Sequence, residues 1–406
     1  MNKYVLPVSV LMSGLIGACQ PVTDQEREQP EAHAMNDPMF SGTYEYSAVI
    51  HAWVNRTGNF QQGAFLLANT GHYFEAMEMF DRGAGSPAHH EVYFDNSQFR
   101  SHSALSYIQE QAADHRVVII NEAHHVPAHR FFTMLLIGKL RDSGFRYFGA
   151  ETLSAGDSLL NERGYPLLNS GYFTAEPQYG NLVRRACELG YQVIAYEAAG
   201  PADGRKRELE QAENIATLLR SDPEARVVIH CGYSHLLEEE ALEGWGKAMA
   251  GRLKELTGID PLTVDQVELT EHSDKRYENP YYQKMDFDDF TVVESLGRTL
   301  PVCFRLSGQW SDVFVYHPRT RLRSGRPDWL FRYYEPVQIT SRIGLDPPVL
   351  VKAYYEGEDE RVAVPADVVE ILSLQDSVAL ALRKNRSYKV IVTDTSGNSR
   401  VLSIRS

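Results

Sequence analysis

The sequence predicts an α/β protein: a mostly parallel sheet with helices on both faces, preceded by a small helical segment and followed by a small β-sandwich-like domain. Three observations carry this expectation. From about residue 101, short apolar runs alternate with amphipathic stretches of helical length, the mark of strand–helix–strand units. After about 336 the helical spacing disappears, and short β-type runs separated by turn residues take over. The chain has 406 residues, 43% of them hydrophobic and 23% charged, which fits roughly two or three folded domains and excludes disordered, collagen-like and disulfide-stapled classes.

The N-terminus bears on location. Met1-Asn2-Lys3 precedes an apolar run from Tyr4 to Ala18 that Pro7 and Gly14 interrupt. The run is too short and broken for a transmembrane helix but suits a signal peptide, residues 1–19. Leu15-Ile16-Gly17-Ala18-Cys19 resembles a bacterial lipobox, which implies lipidation of Cys19. Gln20, rather than aspartate, follows the cysteine, and this points to an outer-membrane lipoprotein facing the periplasm. Residues 20–38 are polar and rich in Pro, Glu and Gln, so they read as a flexible tether. The expected contact with the membrane is through the lipid alone. A formal net charge of −14 would repel a polyanion, so nucleic acid is not an expected partner. Cys187, Cys231 and Cys303 remain; their odd number and the lack of a CxxC spacing favour buried thiols, with a Cys231–Cys303 bridge as the alternative.

Residues 39–100 read as the helical segment. The stretch 63–83 has small residues at Ala68 and Ala76 around a Gly71-His72-Tyr73 turn. It looks like one tetratricopeptide-type hairpin, packed on the main domain because no second copy follows near the expected spacing. Residues 101–335 form the α/β domain. Its strands are 116–120, 147–150, 192–196, 226–230 and 262–264, with later ones at Val302-Cys303-Phe304 and 313–316. Pro127 and Pro177 open helices, Gly144 ends one, and a charged helix spans about 206–220. Residues 336–406 form the β domain, with strands near 349–354, 378–380, 388–392 and 401–404.

Chemistry gathers at the strand ends. In an open parallel sheet the loops after the strands converge on one crevice. Here the first strand runs into Asn121-Glu122-Ala123-His124-His125, the next two end in Glu151 and Glu197, and a fourth leads to Gly232-Tyr233-Ser234-His235. Imidazole and carboxylate suit acid–base work near neutral pH and also Mn, Fe, Co or Zn. A desolvated group of three carboxylates needs a compensating cation, arginine or proton. Each residue has a plainer role open to it: Glu151 and Glu197 as helix caps or surface charges, His124 and His125 as solvated loop residues. His129, inside the helix that Pro127 opens, could pack against the strand.

The segment 121–153 resembles the opening of the superfamily that joins ChaN-like haem-binding lipoproteins, erythromycin esterases and TIKI/TraB proteases. Asn121-Glu122-Ala123-His124 matches its first histidine loop, Glu151 its strand-end glutamate, and Gly232-Tyr233-Ser234-His235 its second histidine loop. HVPAHRFF (125–132) is most similar to the ChaN-like branch, and Arg207 takes the place of an arginine often found in the family. The resemblance covers about 105–320. It departs at Asn121, where glycine is usual, and asparagine tolerates the left-handed turn that glycine would supply. Esterase-like spacing would make His125 rather than His124 the catalytic histidine.

The resemblance implies an ester or peptide hydrolase whose catalytic set is Glu122, His124, His125, Glu151, Glu197, Arg207 and His235. A divalent metal on His124, Glu151, Glu197 and His235 is one version of it, and the substrate would be a small molecule or peptide. The alternative it implies is a haem- or iron-binding lipoprotein without catalytic activity. A third reading is an interaction lipoprotein with a degenerate site. The walls of the site would come from residues 154–176 and 272–300; the latter, rich in aromatic and acidic residues, is either a lid or a surface excursion.

Overall fold

In the computed structural model the described residues are 39, 42–84, 92, 96–200, 204–242, 245–296 and 302–406. The expected signal peptide, Cys19 and the expected tether lie outside them. Three helices come first: α1 (Ser47–Thr57), α2 (Phe60–Asn69) and α3 (Tyr73–Ala84). Helices α2 and α3 form the hairpin expected from 63–83. Gly71, at φ 82°, makes the turn, and a β-carbon there would meet the Val368 carbonyl at 2.4 Å.

The α/β unit follows, with β1 (Phe99–Ser103), α4 (Ala104–Gln111), β2 (Val117–Glu122), α5 (Pro127–Asp142), β3 (Tyr147–Ala150), the short α6 (Leu160–Arg163), α7 (Pro177–Glu188), β4 (Gln192–Ile194), α8 (Gly204–Ser221), β5 (Val227–Gly232) and α9 (Met249–Thr257). Strands Leu262–Asp265, Thr291–Ser295 and Val313–Tyr316 complete an eight-stranded sheet. Its order is β1, 291–295, 313–316, 262–265, β2, β5, β3, β4. From 313–316 across to β4 all neighbours are parallel, and the antiparallel strand 291–295 joins β1 to them.

Period-two alternation sends the β2 side chains to opposite faces. Val118 and Ile120 pack in the core with α4, α5 and α7, while Val117 and Ile119 pack with α8 and α9. Both faces are thus covered by helices, which is why β2 and β5 are buried along their whole length. The sheet is α/β and mostly parallel, as expected.

Three expectations need correction. Residues 302–304 are not a strand: Phe304 is buried against Tyr316 in a side cluster, and Arg305 beside it binds Asp265. Thr291–Ser295 and β1 are strands that the sequence hid. Asn121 is not in a left-handed turn, since it lies in β2; its side chain donates to the Tyr233 carbonyl (2.9 Å) and accepts from Gln266 N (2.8 Å). It is a cross-strand tie, and Tyr233 carries the positive φ, 38°.

Past residue 335 the strands are antiparallel. Residues 335–338 pair with 379–382, and a four-stranded sheet runs 367–371, 349–355, 387–394, 399–405. The two sheets share one core around Val351, Ile371, Leu380 and Val390. Cys187, Cys231 and Cys303 are free thiols. No helix among the described residues is long and apolar enough to cross a membrane.

Candidate active site

The register places the site. Glu122, last in β2, pairs with Gly232, last in β5, while Ala150 at the end of β3 sits beside His230. Three strand ends therefore release Glu122, Glu151 and the loop to His235 into one crevice.

Glu122 is buried and anchors the first half of the site. His124 Nδ1 donates to its Oε1 at 2.7 Å, and Arg130 donates to both oxygens at 2.6 and 2.7 Å. His230 Nε2 donates to Oε2 at 2.7 Å. Burial would raise the pKa of this carboxyl, but the Arg130 guanidinium outweighs it and holds the group well below the usual range. Arg130 reaches on to Glu176 at 3.0 Å, whose carboxylate also caps α7 through Tyr179 N. An anion with both oxygens occupied is a poor base, so Glu122 orients His124. With Nδ1–H fixed on the carboxylate, a neutral ring presents the Nε2 lone pair. The ring stacks on Phe173 at 3.9 Å, with the edges of Phe65 and Tyr233 at 5.9 and 5.1 Å.

The second half is built on Glu151 and α8. Gly232 N donates to Glu151 Oε2, and Arg207 Nη2 donates to Oε1 at 2.6 Å. Glu197 grips the other edge of the Arg207 guanidinium at 2.8 and 2.7 Å and accepts from Gln211 at 2.9 Å. His235 lies beside them, with Nδ1 2.7 Å from Glu208 Oε1 and off the hydrogen-bonding axis. Its Nε2 is 3.3 Å from Glu151 Oε1 and 3.2 Å from Arg207 Nη1. That nitrogen can donate to the carboxylate when the ring is charged and accept from the guanidinium when it is neutral. Burial disfavours the charge, but Glu208 and Glu151 outweigh it and push the His235 pKa up to about 10. For Glu151 the balance runs the other way: despite burial, His235 and Arg207 hold it well below the carboxylate range.

The two halves meet over Gly232. A β-carbon there would lie 2.5 Å from His124 Nε2 and 2.9 Å from Glu151 Oε2, so the glycine is needed for close approach. Glu122, His124, Glu151, Glu197, Arg207 and His235 are brought together. His125 is not part of this group. It stacks on Phe80 of α3 at 3.7 Å, its Nδ1 accepts from the Tyr233 hydroxyl at 3.3 Å, and burial lowers its pKa to about 3. His129 is a core residue: Ala123 N donates to its Nδ1 at 2.9 Å, and burial keeps it neutral. Arg130, His230, Glu176 and Glu208 were not picked out from the sequence. Arg130 lies in the 125–132 stretch quoted for the resemblance and Glu208 is next to Arg207, and that was the available signal.

The residues do not fit a resident divalent ion. Among the described residues no group of three or more His, Cys, Asp or Glu side chains is arranged to hold one. The positive charge between Glu151 and Glu197 is the Arg207 guanidinium, which fills the place an ion would take. A haem fits no better, because the free nitrogen of His124 faces the Gly232 backbone and a carboxylate rather than an apolar slot.

At the neighbouring strand ends, beyond 262–265 and 313–316, an apolar cleft holds about 500 Å³ of empty space, part of it open to solvent. Tyr73 and Met77 of α3, Val126, Phe290, His317 and Trp329 are among its walls. The β2–α5 loop that carries His124 separates cleft from cluster. Of the described residues 272–296, Tyr281, Tyr282 and Phe287 pack into a side core with Phe304 and Tyr316, 291–295 is a sheet strand, and Phe290 reaches the cleft wall.

No protein-family model and no curated protein matches the chain. Among solved structures, a MARTX toxin effector domain from Vibrio vulnificus is 20% identical over 37% of this chain and 35% of its own, with a TM-score of 0.29. A type III effector is 12% identical over 43% of this chain and 89% of its own, also at 0.29. The C-terminal region of Pasteurella multocida toxin, described as carrying a thiol-protease-like triad, is 11% identical over 83% of this chain and 51% of its own, again at 0.29. The chain thus spans about a third of the length of the first of these. Likenesses this weak carry no argument about function.

Proposed function

We propose that the protein is a hydrolase of ester or peptide bonds, of the superfamily that its histidine loops resemble, working without a resident metal and held in the bacterial envelope through Cys19. The observation that supports this reading most is the meeting, over Gly232, of the His124 imidazole that Glu122 holds by Nδ1 with the Glu151 carboxylate that Arg207 and His235 share.

In this reading His124 Nε2 takes a proton from water as the water attacks the carbonyl carbon, and Glu122 stabilises the imidazolium that forms. His235 gives its Nε2 proton to the leaving group. Arg207 Nη1, 3.2 Å away, can then donate to the emptied nitrogen. Arg207 and the Gly232 side of the crevice face developing negative charge on the carbonyl oxygen. The acyl side of the substrate would pack on the aromatic rings of Phe173 and Phe65 beside His124. The N-terminal helices thereby gain a role, since Phe65 and Phe80 already abut the two histidines of the loop.

The test is a panel of aryl and alkyl esters and short peptides offered to the chain from residue 20, with and without EDTA. Hydrolysis that survives EDTA and is lost in His124→Gln is the expected result. A panel without turnover by the wild type, or activity restored only by added metal, removes the proposal. Radiolabelled palmitate incorporation that disappears in Cys19→Ser tests the anchor.

A further inference from the structure

The strongest feature that the acid–base scheme leaves unused is Trp245. Its indole stacks on the His235 ring, centroids 5.1 Å apart and planes 24° apart. The backbone behind it is pinned, because Arg252 Nη2 donates to the Trp245 carbonyl at 2.8 Å and Arg252 Nε to that of Lys247 at 2.7 Å. The pyrrole edge of the indole also meets the first residue of α8. A β-carbon on Gly204 would stand 2.2 Å from Trp245 Nε1 and 2.5 Å from Cδ1. Any side chain at this position would collide with the indole, so the glycine allows the close approach. One turn further along, α8 presents Arg207 and Glu208, the two residues that meet the edges of the same imidazole.

His235 is thus held by its edges from Glu151, Glu208 and Arg207 and by its face from Trp245. The edge contacts alone leave the ring free to rock about its last torsion, since the Nδ1 contact is off axis and the Nε2 distances are long for hydrogen bonds. The face contact removes that freedom, and a flat π surface against an imidazolium is attractive as well as restrictive.

We propose that Trp245 is a positioning residue: packed against both Gly204 and the face of His235, it fixes the imidazole plane so that Nε2 stays between Glu151 and Arg207. Its consequence for turnover rests on the acid role proposed for His235, but its test does not.

The experiment is proton NMR of the ¹⁵N-histidine-labelled chain from residue 20 at neutral pH, with the His235 ring N–H signals assigned by their absence in His235→Gln. A ring N–H is seen only while the imidazole is held and shielded from exchange. Wild type and Trp245→Phe should show the signals, and Trp245→Ala should lose them. Gly204→Ala is the deciding variant, because it changes neither side chain. If the glycine were of no consequence, alanine would leave the signals intact and raise the melting temperature slightly. Positioning requires instead that the signals vanish in a protein that still melts cooperatively. Signals that persist in both alanine variants overturn the proposal. If the ester panel shows no turnover by the wild type, the hydrolase reading falls while the NMR result still decides the role of Trp245.

Discussion

Glu197 holds Arg207 by two parallel contacts, Nε to Oε1 at 2.8 Å and Nη2 to Oε2 at 2.7 Å, and so aims the third nitrogen, Nη1, at His235. The arginine is the cation that lets Glu151 and Glu197 share a buried crevice. Replacing it with methionine keeps much of the volume and leaves the two carboxylates facing each other. We expect Arg207→Met to lose roughly 3–5 kcal/mol at pH 7, the usual cost of stranding a buried charge. The loss should shrink toward pH 4, where protonation relieves the repulsion. Urea unfolding at the two pH values checks this, and an equal loss at both would mean that charge compensation is not what Arg207 does.

His124 and His125 are adjacent in sequence and opposite in surroundings, which separates their variants. His124→Gln should lower turnover by about 10²–10⁴-fold, the range for a lost general base, with little change in stability. His125→Gln should do the reverse. It disrupts the stack on Phe80 and places a larger polar need in a buried slot, at roughly 1–3 kcal/mol. Esterase assays paired with thermal melts distinguish the two, and the same profile for both would remove the assignment of His124 as the base.

Much of this site was legible because strand ends are easy to read. Apolar runs of fixed length stop at a polar residue, and parallel topology sends those residues to one crest. Glu122, Glu151, Glu197 and His235 came from that rule. Arg207 came from family likeness, since nothing in a charged helix of its length marks one arginine as inward. The residues that neutralise or orient the others were harder to see. Arg130 and Glu208 look like ordinary charged helix positions, and only burial against Glu122 and His235 distinguishes them. Strand 99–103, FRSHS, has almost no apolar content because it is a sheet edge, so hydrophobic patterning could not find it. Phe65 and Trp245 are wall residues, and their roles depend on distances that no local pattern encodes.

Gly232 gives a steric prediction. In Gly232→Ala the new methyl would intrude on His124 Cε1 at 2.4 Å and on Nε2 at 2.5 Å, so the ring must move off its line with Glu122. Strand β5 should tolerate alanine, and overpacking of this kind costs roughly 1–3 kcal/mol. Activity should fall by far more than stability. A variant that keeps near-wild-type kcat would show that the reacting nitrogen is not the one above Gly232.

The charge on His235 sets a pH dependence whose sign can be worked out. Its folded-state pKa, about 10, lies above the ordinary imidazole value of 6.5, so the folded state binds the proton more tightly than the unfolded chain does. The stabilisation is fully present below about pH 6.5, shrinks as the pH rises, and is gone once the folded group itself deprotonates near pH 10. The stability difference between wild type and His235→Gln should therefore be largest near pH 6 and diminish steadily toward pH 10. An acid of this strength also predicts that kcat/KM for an ester with a poor leaving group declines on the alkaline side with a midpoint near pH 10, whereas an activated aryl ester, which needs no proton, does not follow it. Urea midpoints for both proteins between pH 6 and 10, together with the two ester profiles, are the measurements. A stability difference that grows with pH would mean that His235 is neutral in the folded protein, and the acid role would then have to pass to water.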